Sequence, residues 1–174
     1  MKTATHKTAL LMGAALCMIL SAGSCCQNAT SAKKDVVVTL NDYGPQPIVL
    51  DIEEYTLTNT NFRTAIWTGS YLQVTLMAIP VGGEVGLEVH NDLDQFLRIE
   101  EGDAKVMMGN AEDNLYYVKE ASDGMAIIVP SGTWHNIINT GKEALKIYSI
   151  YAPVQHPHGT VHKTFEEAEE AEHH

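Results

Sequence analysis

The chain has 174 residues, with 11 basic against 22 acidic side chains for a formal net charge of −11, and 45% of it is hydrophobic. That is one domain's length with enough apolar sequence for a real core, and the acidic balance argues against nucleic acid and against electrostatic docking on anionic lipid. All three cysteines (Cys17, Cys25 and Cys26) lie near the N-terminus, so the rest of the chain uses neither disulfides nor thiol chemistry.

Lys2 and Lys7 precede an apolar run from Ala9 to Leu20, and the small residues Ser21-Ala22-Gly23-Ser24 follow it. A basic start, a short apolar core and a small-residue cleavage region read as a signal peptide over residues 1–24. The run is too short to span a bilayer in the usual way. Ala22-Gly23-Ser24-Cys25 resembles a loose bacterial lipobox with Cys25 as the lipidated residue, and simple cleavage after Ser24 is the competing reading. The expectation is an exported bacterial protein of the periplasm or cell envelope, attached to membrane only through that lipid.

Residues 25–34 read as a polar tether, residues 35–165 as the folded domain with its extensions, and residues 166–174 as an exposed, helix-prone tail. Asp35–Leu40 is rich in β-branched residues and predicts a first, edge strand. Asp51-Ile52-Glu53-Glu54 has the form of a capping box opening a short helix. From Phe62 onward the pattern predicts strand after strand: 62–67, 71–79, 85–90, 95–100, 104–108, 115–119, 125–129, 134–139 and 145–151. Gly, Asn and Asp clusters separate them at the short spacing of an all-β barrel or sandwich.

The chemistry gathers in Gly82–Gly102. In a strand, Glu88 and His90 leave the backbone on one face, and after the polar turn 91–94 Gln95 opens a second strand. A hairpin can bring Glu88, His90 and Gln95 to one point. His135 is a fourth candidate, just beyond the turn shaped by Pro130 and Gly132. Two imidazoles, a carboxylate and a carboxamide suit a divalent first-row metal.

These stretches resemble the two motifs of the cupin superfamily. Gly82, Glu88, His90, Gln95 and Gly102 fall on G-x5-H-x-H-x4-E-x6-G, and Gly124, Pro130, Gly132, His135 and Asn139 fall on G-x5-P-x-G-x2-H-x3-N. The resemblance spans residues 70–152, and the wording is similar to small single-domain cupins of the mannose-6-phosphate-isomerase-like type. It implies a double-stranded β-helix, a jelly-roll cupin barrel, with a short N-terminal extension and a C-terminal strap. It also implies one divalent ion (Zn, Mn, Fe or Ni) on Glu88, His90, Gln95 and His135, and isomerase-like Lewis-acid chemistry on a small polar or carbohydrate-like molecule. Two departures stand out: Glu88 replaces the usual first histidine and Gln95 the usual glutamate, so the single anionic donor has moved to the other end of the motif. A non-haem iron dioxygenase is the first rival reading, and an exported lipoprotein that binds a small ligand without turning it over is the second. A homodimer is compatible with any of them.

Other residues carry weaker signals. Gln73 alternates with Tyr71, Thr75 and Met77 on one strand face and is a candidate pocket residue, as are Tyr151 and Arg63. Arg98, the other arginine, is out of phase with Gln95 and reads as half of a surface ion pair. Asp92 and Asp94 belong to an exposed turn, Trp134 to core packing on the face opposite His135, and Asn139 to backbone bonding in the next turn. His156, His158 and His162 sit in a proline-broken segment read as a strap across the barrel, although a lid contributing one histidine stays open.

The leader gives the first prediction. Cells making the full chain yield a membrane-associated protein whose mass shows acyl groups on Cys25, and Cys25→Ser releases it or stalls its processing. A soluble product that begins at Cys25 with no added mass removes the anchor and leaves export standing.

Overall fold

In the computed structural model, residues 37–172 are described; the leader, the tether, Cys25 and His173–His174 lie outside them. The elements are α1 (Ile52–Thr58), β1 (Arg63–Thr68), β2 (Gln73–Ile79), β3 (Asp94–Glu101), β4 (Asp103–Gly109), β5 (Tyr117–Ser122), β6 (Ala126–Val129), β7 (Trp134–Asn139), β8 (Leu145–Ala152), β9 (Val161–His162) and α2 (Phe165–Glu172). A six-stranded sheet runs β6-β3-β8-β2-β1-β9 and a three-stranded sheet runs β5-β4-β7. Every pairing is antiparallel. This is the layered, all-β arrangement of a double-stranded β-helix, and no continuous ladder among the described residues closes it into a barrel.

Residues paired across an antiparallel sheet share a face, so the register defines interior rows. One row reads Gln73, Tyr151, Gln95 and Val129; the next Thr75, Ser149, Leu97 and Ile127; the third Met77, Ile147 and Ile99. Within these three rows the polar side chains are confined to one end. The other end continues into an apolar core with Ile79, Val85, Val106, Ile137 and Leu145. Burying these aliphatic side chains supplies most of the drive to fold, at about 1.5–3 kcal/mol for each full burial.

The outer face of the larger sheet is covered separately. Tyr55, Ile66 and Leu76 form a second buried cluster joined by Val38, Leu40, Leu50, Ile52 and Val74. Helix α1 starts as the capping box requires, with the Asp51 carboxylate accepting the Glu54 N–H at 3.2 Å. The strand expected at 35–40 is not formed over 37–40: Val38 and Leu40 pack their side chains, while the chain runs without ladder bonds until Tyr43 N–H meets the Ile66 carbonyl at 2.9 Å. β-branched residues here serve packing and not pairing.

Two more expectations change. Residues 85–90 are not a continuous strand but make isolated bridges to β7, Glu84 with Ile138 and Glu88 with His135. Gly86 interrupts them at φ +108°, a conformation L side chains rarely adopt, and a Cβ there would sit 3.3 Å from the Phe165 ring. The C-terminal helix is not simply an exposed tail either. Phe165 meets Phe62 edge-on at 5.6 Å and Ala168 is buried, while the acidic residues between them face outward.

Asn139 ties the far end of the fold together. Its amide donates to the carbonyls of Ile79 (2.9 Å) and Glu143 (2.8 Å), and its carbonyl oxygen accepts the Gly141 N–H at 2.9 Å. Asn139→Ala strands buried backbone groups and is expected to cost roughly 2–4 kcal/mol in chemical denaturation; a loss below about 0.5 kcal/mol would mean that water replaces these bonds without penalty.

Candidate metal centre

The site begins with backbone. Glu88 N–H donates to the His135 carbonyl at 3.0 Å and His135 N–H returns a bond to the Glu88 carbonyl at 2.9 Å, so the two side chains are set against each other across one bridge. The turn at 130–133, which includes Gly132 at φ +75°, holds the next donor: Gly132 N–H donates to the His90 carbonyl at 2.6 Å. The second motif therefore delivers His135 and also anchors the backbone of His90.

The side chains converge. Glu88 Oε1 lies 3.2 Å from His135 Nε2 and 3.3 Å from His90 Nε2, and one donor atom from each residue falls within 4.8 Å of the others. Side-chain exposure is 0% for His135, 9% for His90 and 14% for Glu88. His135 Nδ1 lies 3.0 Å from the Thr133 carbonyl, which only accepts, so Nδ1 carries the proton. In the neutral ring Nε2 is then a bare lone pair facing a carboxylate oxygen, a contact that becomes favourable with a proton or a cation between them. Burial works to raise the Glu88 pKa, but hydrogen bonding and charge from His135 and His90 outweigh it and hold the group well below the usual carboxylate range.

Gln95 stands on the interior face of β3, opposite Tyr151. Its amide nitrogen donates to Ser149 Oγ at 3.1 Å, while Oε1 is buried without a hydrogen-bond partner among the described residues. A buried acceptor left bare, on the residue paired with Tyr151, has the chemistry of a fourth oxygen donor to a metal. Tyr151 packs edge-on against His90, 5.8 Å between ring centres, which links the Gln95 row to the triad. Asp92 and Asp94 stay exposed, with Asp94 accepting the Ser131 N–H at 2.9 Å. Arg98 pairs with Glu100. Trp134 is half-buried at the edge of its sheet and is not in the core.

The pocket candidates take different roles. Gln73 is fully buried and committed: its carbonyl oxygen accepts the His156 N–H at 2.8 Å, and its amide donates to the His156 carbonyl (2.8 Å) and to Thr68 Oγ1 (2.9 Å). It is the clamp of the strap and not a free pocket group. Tyr151 and Arg63 face the interior, both fully buried.

The strap itself is more than a cover. It returns along β1 as β9, and it carries His156 inward, ring perpendicular to Tyr151 at 5.1 Å. His158 stays outside, 56% exposed and 3.5 Å from Asp42, and His162 lies opposite Arg63 across the β1–β9 pair. Burial first, and then the Arg63 guanidinium, push the His156 imidazole down to about 3, so it is neutral at neutral pH. The sequence left open a strap that contributes one histidine but could not say which of the three, because prolines erase the periodicity that would show its facing. A groove of about 580 Å³ elsewhere, lined by Met108, Tyr116, Tyr117, Met125 and Ile128 among others, contains none of the triad.

A neutral buried imidazole has a consequence for stability. The unfolded chain takes up a proton on His156 below its ordinary pKa of 6.5 that the folded chain refuses down to about 3, so stability falls with acidity by up to about 1.4 kcal/mol per pH unit. Glu88 acts in the same direction but lower on the scale: its stabilisation is lost only below its ordinary 4.5. Between those two values the slope belongs to His156. Melting the metal-free protein across this window should show a shallower slope for His156→Gln than for the parent, with metal content unchanged when ion is supplied. Equal slopes would place the imidazole in water.

Comparison with known proteins bears on the family and the fold. The cupin domain family matches residues 75–151. An uncharacterized Bacillus subtilis protein, YrkC, is 52% identical over 142 residues, covering 82% of this chain and 76% of that one. An uncharacterized protein of Acanthamoeba polyphaga mimivirus is 38% identical over 117 residues, covering 67% and 71%. The crystal structure of BH2720 from Bacillus halodurans superposes with a TM-score of 0.74 at 57% identity, covering 75% of this chain and 98% of that one.

Proposed function

This chain belongs to the cupin family, and from that premise we propose that it holds one divalent ion on Glu88, His90, His135 and Gln95 and acts on a small polar, carbohydrate-like molecule. The observation that carries the reading is the convergence of two imidazole nitrogens on Glu88 Oε1 at 3.2 and 3.3 Å. A bound ion would supply Lewis-acid polarisation of a carbonyl or hydroxyl, in the isomerase-like manner of mannose-6-phosphate-isomerase-like cupins.

The residues divide the work. Glu88 is the only anionic donor, leaving the site a net charge of about +1 with a divalent ion bound. Thr133 fixes the His135 tautomer, Tyr151 buttresses the His90 ring, and Ser149 turns the Gln95 amide so that its oxygen remains for the site. One observation favours a second reading: two histidines and one carboxylate are also the ligand set of non-haem iron oxygenases. Export through residues 1–24, a lipid on Cys25 and a small-molecule partner complete the proposal.

Metal titration of purified variants tests it. Glu88→Ala removes a donor and the neutralising charge and is expected to weaken binding roughly a hundredfold or more, beyond what loss of an outer-sphere contact does. Gln95→Ala should weaken it less, and Gln95→Glu should tighten it. Full stoichiometry at unchanged affinity in both alanine variants would move the site elsewhere. Elemental analysis of protein purified without added metal separates the readings: iron favours the oxygenase, zinc, manganese or nickel the Lewis acid, and failure to take up any ion leaves a non-catalytic binding protein.

A further inference from the structure

The larger sheet ends at β6 and the smaller at β5, and these two edges do not pair. Between them runs the groove of about 580 Å³, lined by Val106, Met108, Tyr117, Met125, Ile127 and Pro130 among others. Val106 and Ile127 belong to the buried core, while Tyr117 and Met125 are 47% and 46% exposed, so the groove leads from solvent to the space between the sheets. Its volume is that of a small-molecule site, roughly 300–1,000 Å³.

Register joins this groove to the metal centre. Tyr117 pairs with Met108, Met108 with His135, and His135 with Glu88, so the four form one row on the inner face of the smaller sheet. Met108 is one strand spacing, about 5 Å, from His135 along that row. The turn that holds the histidines is shared as well. Pro130 and Thr133 line the groove, the Thr133 carbonyl lies 3.0 Å from His135 Nδ1, and Gly132 N–H donates to the His90 carbonyl.

The lining sets the ligand's chemistry. Two thioethers, a tyrosine ring and a proline ring offer contacts to a flat apolar ring and few partners for hydroxyls. A sugar-like molecule lying wholly in the groove would leave its hydroxyls unsatisfied. The two charges in the lining, Lys119 and Glu120, offset each other, so the groove selects no ionic group. Two copies of a chain with a formal charge of −11 repel, which favours a small uncharged occupant over a second copy.

We propose that the groove is the second half of the ligand site. It takes an aromatic ring carried by the molecule whose oxygens reach the metal donors, with Met108 between the two halves. This rests on the metal reading above and narrows its substrate class to carbohydrate-like heads that bear an aryl group.

The test compares 1-phenylethane-1,2-diol with propane-1,2-diol, which keeps the diol and has a methyl group in place of the ring. Each is titrated into Zn²⁺-loaded protein labelled with ¹³C at the methionine methyl groups, and the Met108 and Met125 resonances are followed. The aryl diol should shift both saturably, and propanediol should shift neither at roughly ten times the concentration. Removing the zinc should weaken the aryl diol roughly tenfold, the loss of one charge-assisted contact. Tyr117→Ala, which truncates a half-exposed edge residue, should weaken it by about the same factor while one Zn²⁺ stays bound. A parent protein that takes up no Zn²⁺ overturns the metal reading and this inference with it. With Zn²⁺ bound, equal responses to the two diols, aryl diol binding indifferent to the ion, or binding unchanged in Tyr117→Ala overturns the inference alone. So do methionine signals that move with protein concentration and ignore the aryl diol, which would give the groove to a second copy.

Discussion

One backbone bridge, the reciprocal pair of hydrogen bonds between Glu88 and His135, fixes the geometry on which the centre depends. It sets a carboxylate and an imidazole side by side before either side chain has chosen a rotamer. The first half of the first motif, 82–90, has little ladder of its own: Gly86 breaks it and the segment leans on β7. A rigid strand thus positions an irregular one, and the site inherits the order of the three-stranded sheet.

The polar and apolar ends of the interior are set by the same strands. On β8, Tyr151 and Ser149 belong to the wet end and Ile147 to the dry one; β2 makes the same transition from Gln73 through Thr75 to Met77. Alternation fixes which residues point inward, and the order along each strand fixes how deep the polarity reaches. The apolar end anchors the sheets, so the other end can carry orphaned donors and acceptors that a small fold would otherwise not tolerate. Stability and function are separated along the strand axis.

Much of this was legible in the sequence, for reasons that can be stated. Strands β2, β3, β7 and β8 read clearly because alternation is strong and their ends carry Gly, Asn or Pro. The triad read clearly because motif spacing translates directly into facing. The strand expected at 85–90 was wrong because alternation describes side chains, while pairing depends on a backbone that Gly86 bends away. Phe165 and Ala168 were hidden among glutamates, three residues apart on a helix whose remaining surface is solvated. His156 could not be told from His158 and His162. Its burial is set by a side chain 83 residues earlier in the chain, and no local pattern reports such a contact.

That distant contact has an evolutionary corollary. Gln73 grips residue 156 only by its backbone N–H and carbonyl, as a neighbouring strand would, and takes no account of the side chain between them. This backbone grip is therefore independent of what residue 156 is, and only the packing of its ring on Tyr151 depends on the side chain. A single substitution there would change the group presented to the interior while leaving the strap seated, the sheets paired and the metal donors in place. The backbone clamp thus leaves one interior position whose side chain can vary without first having to repair the fold.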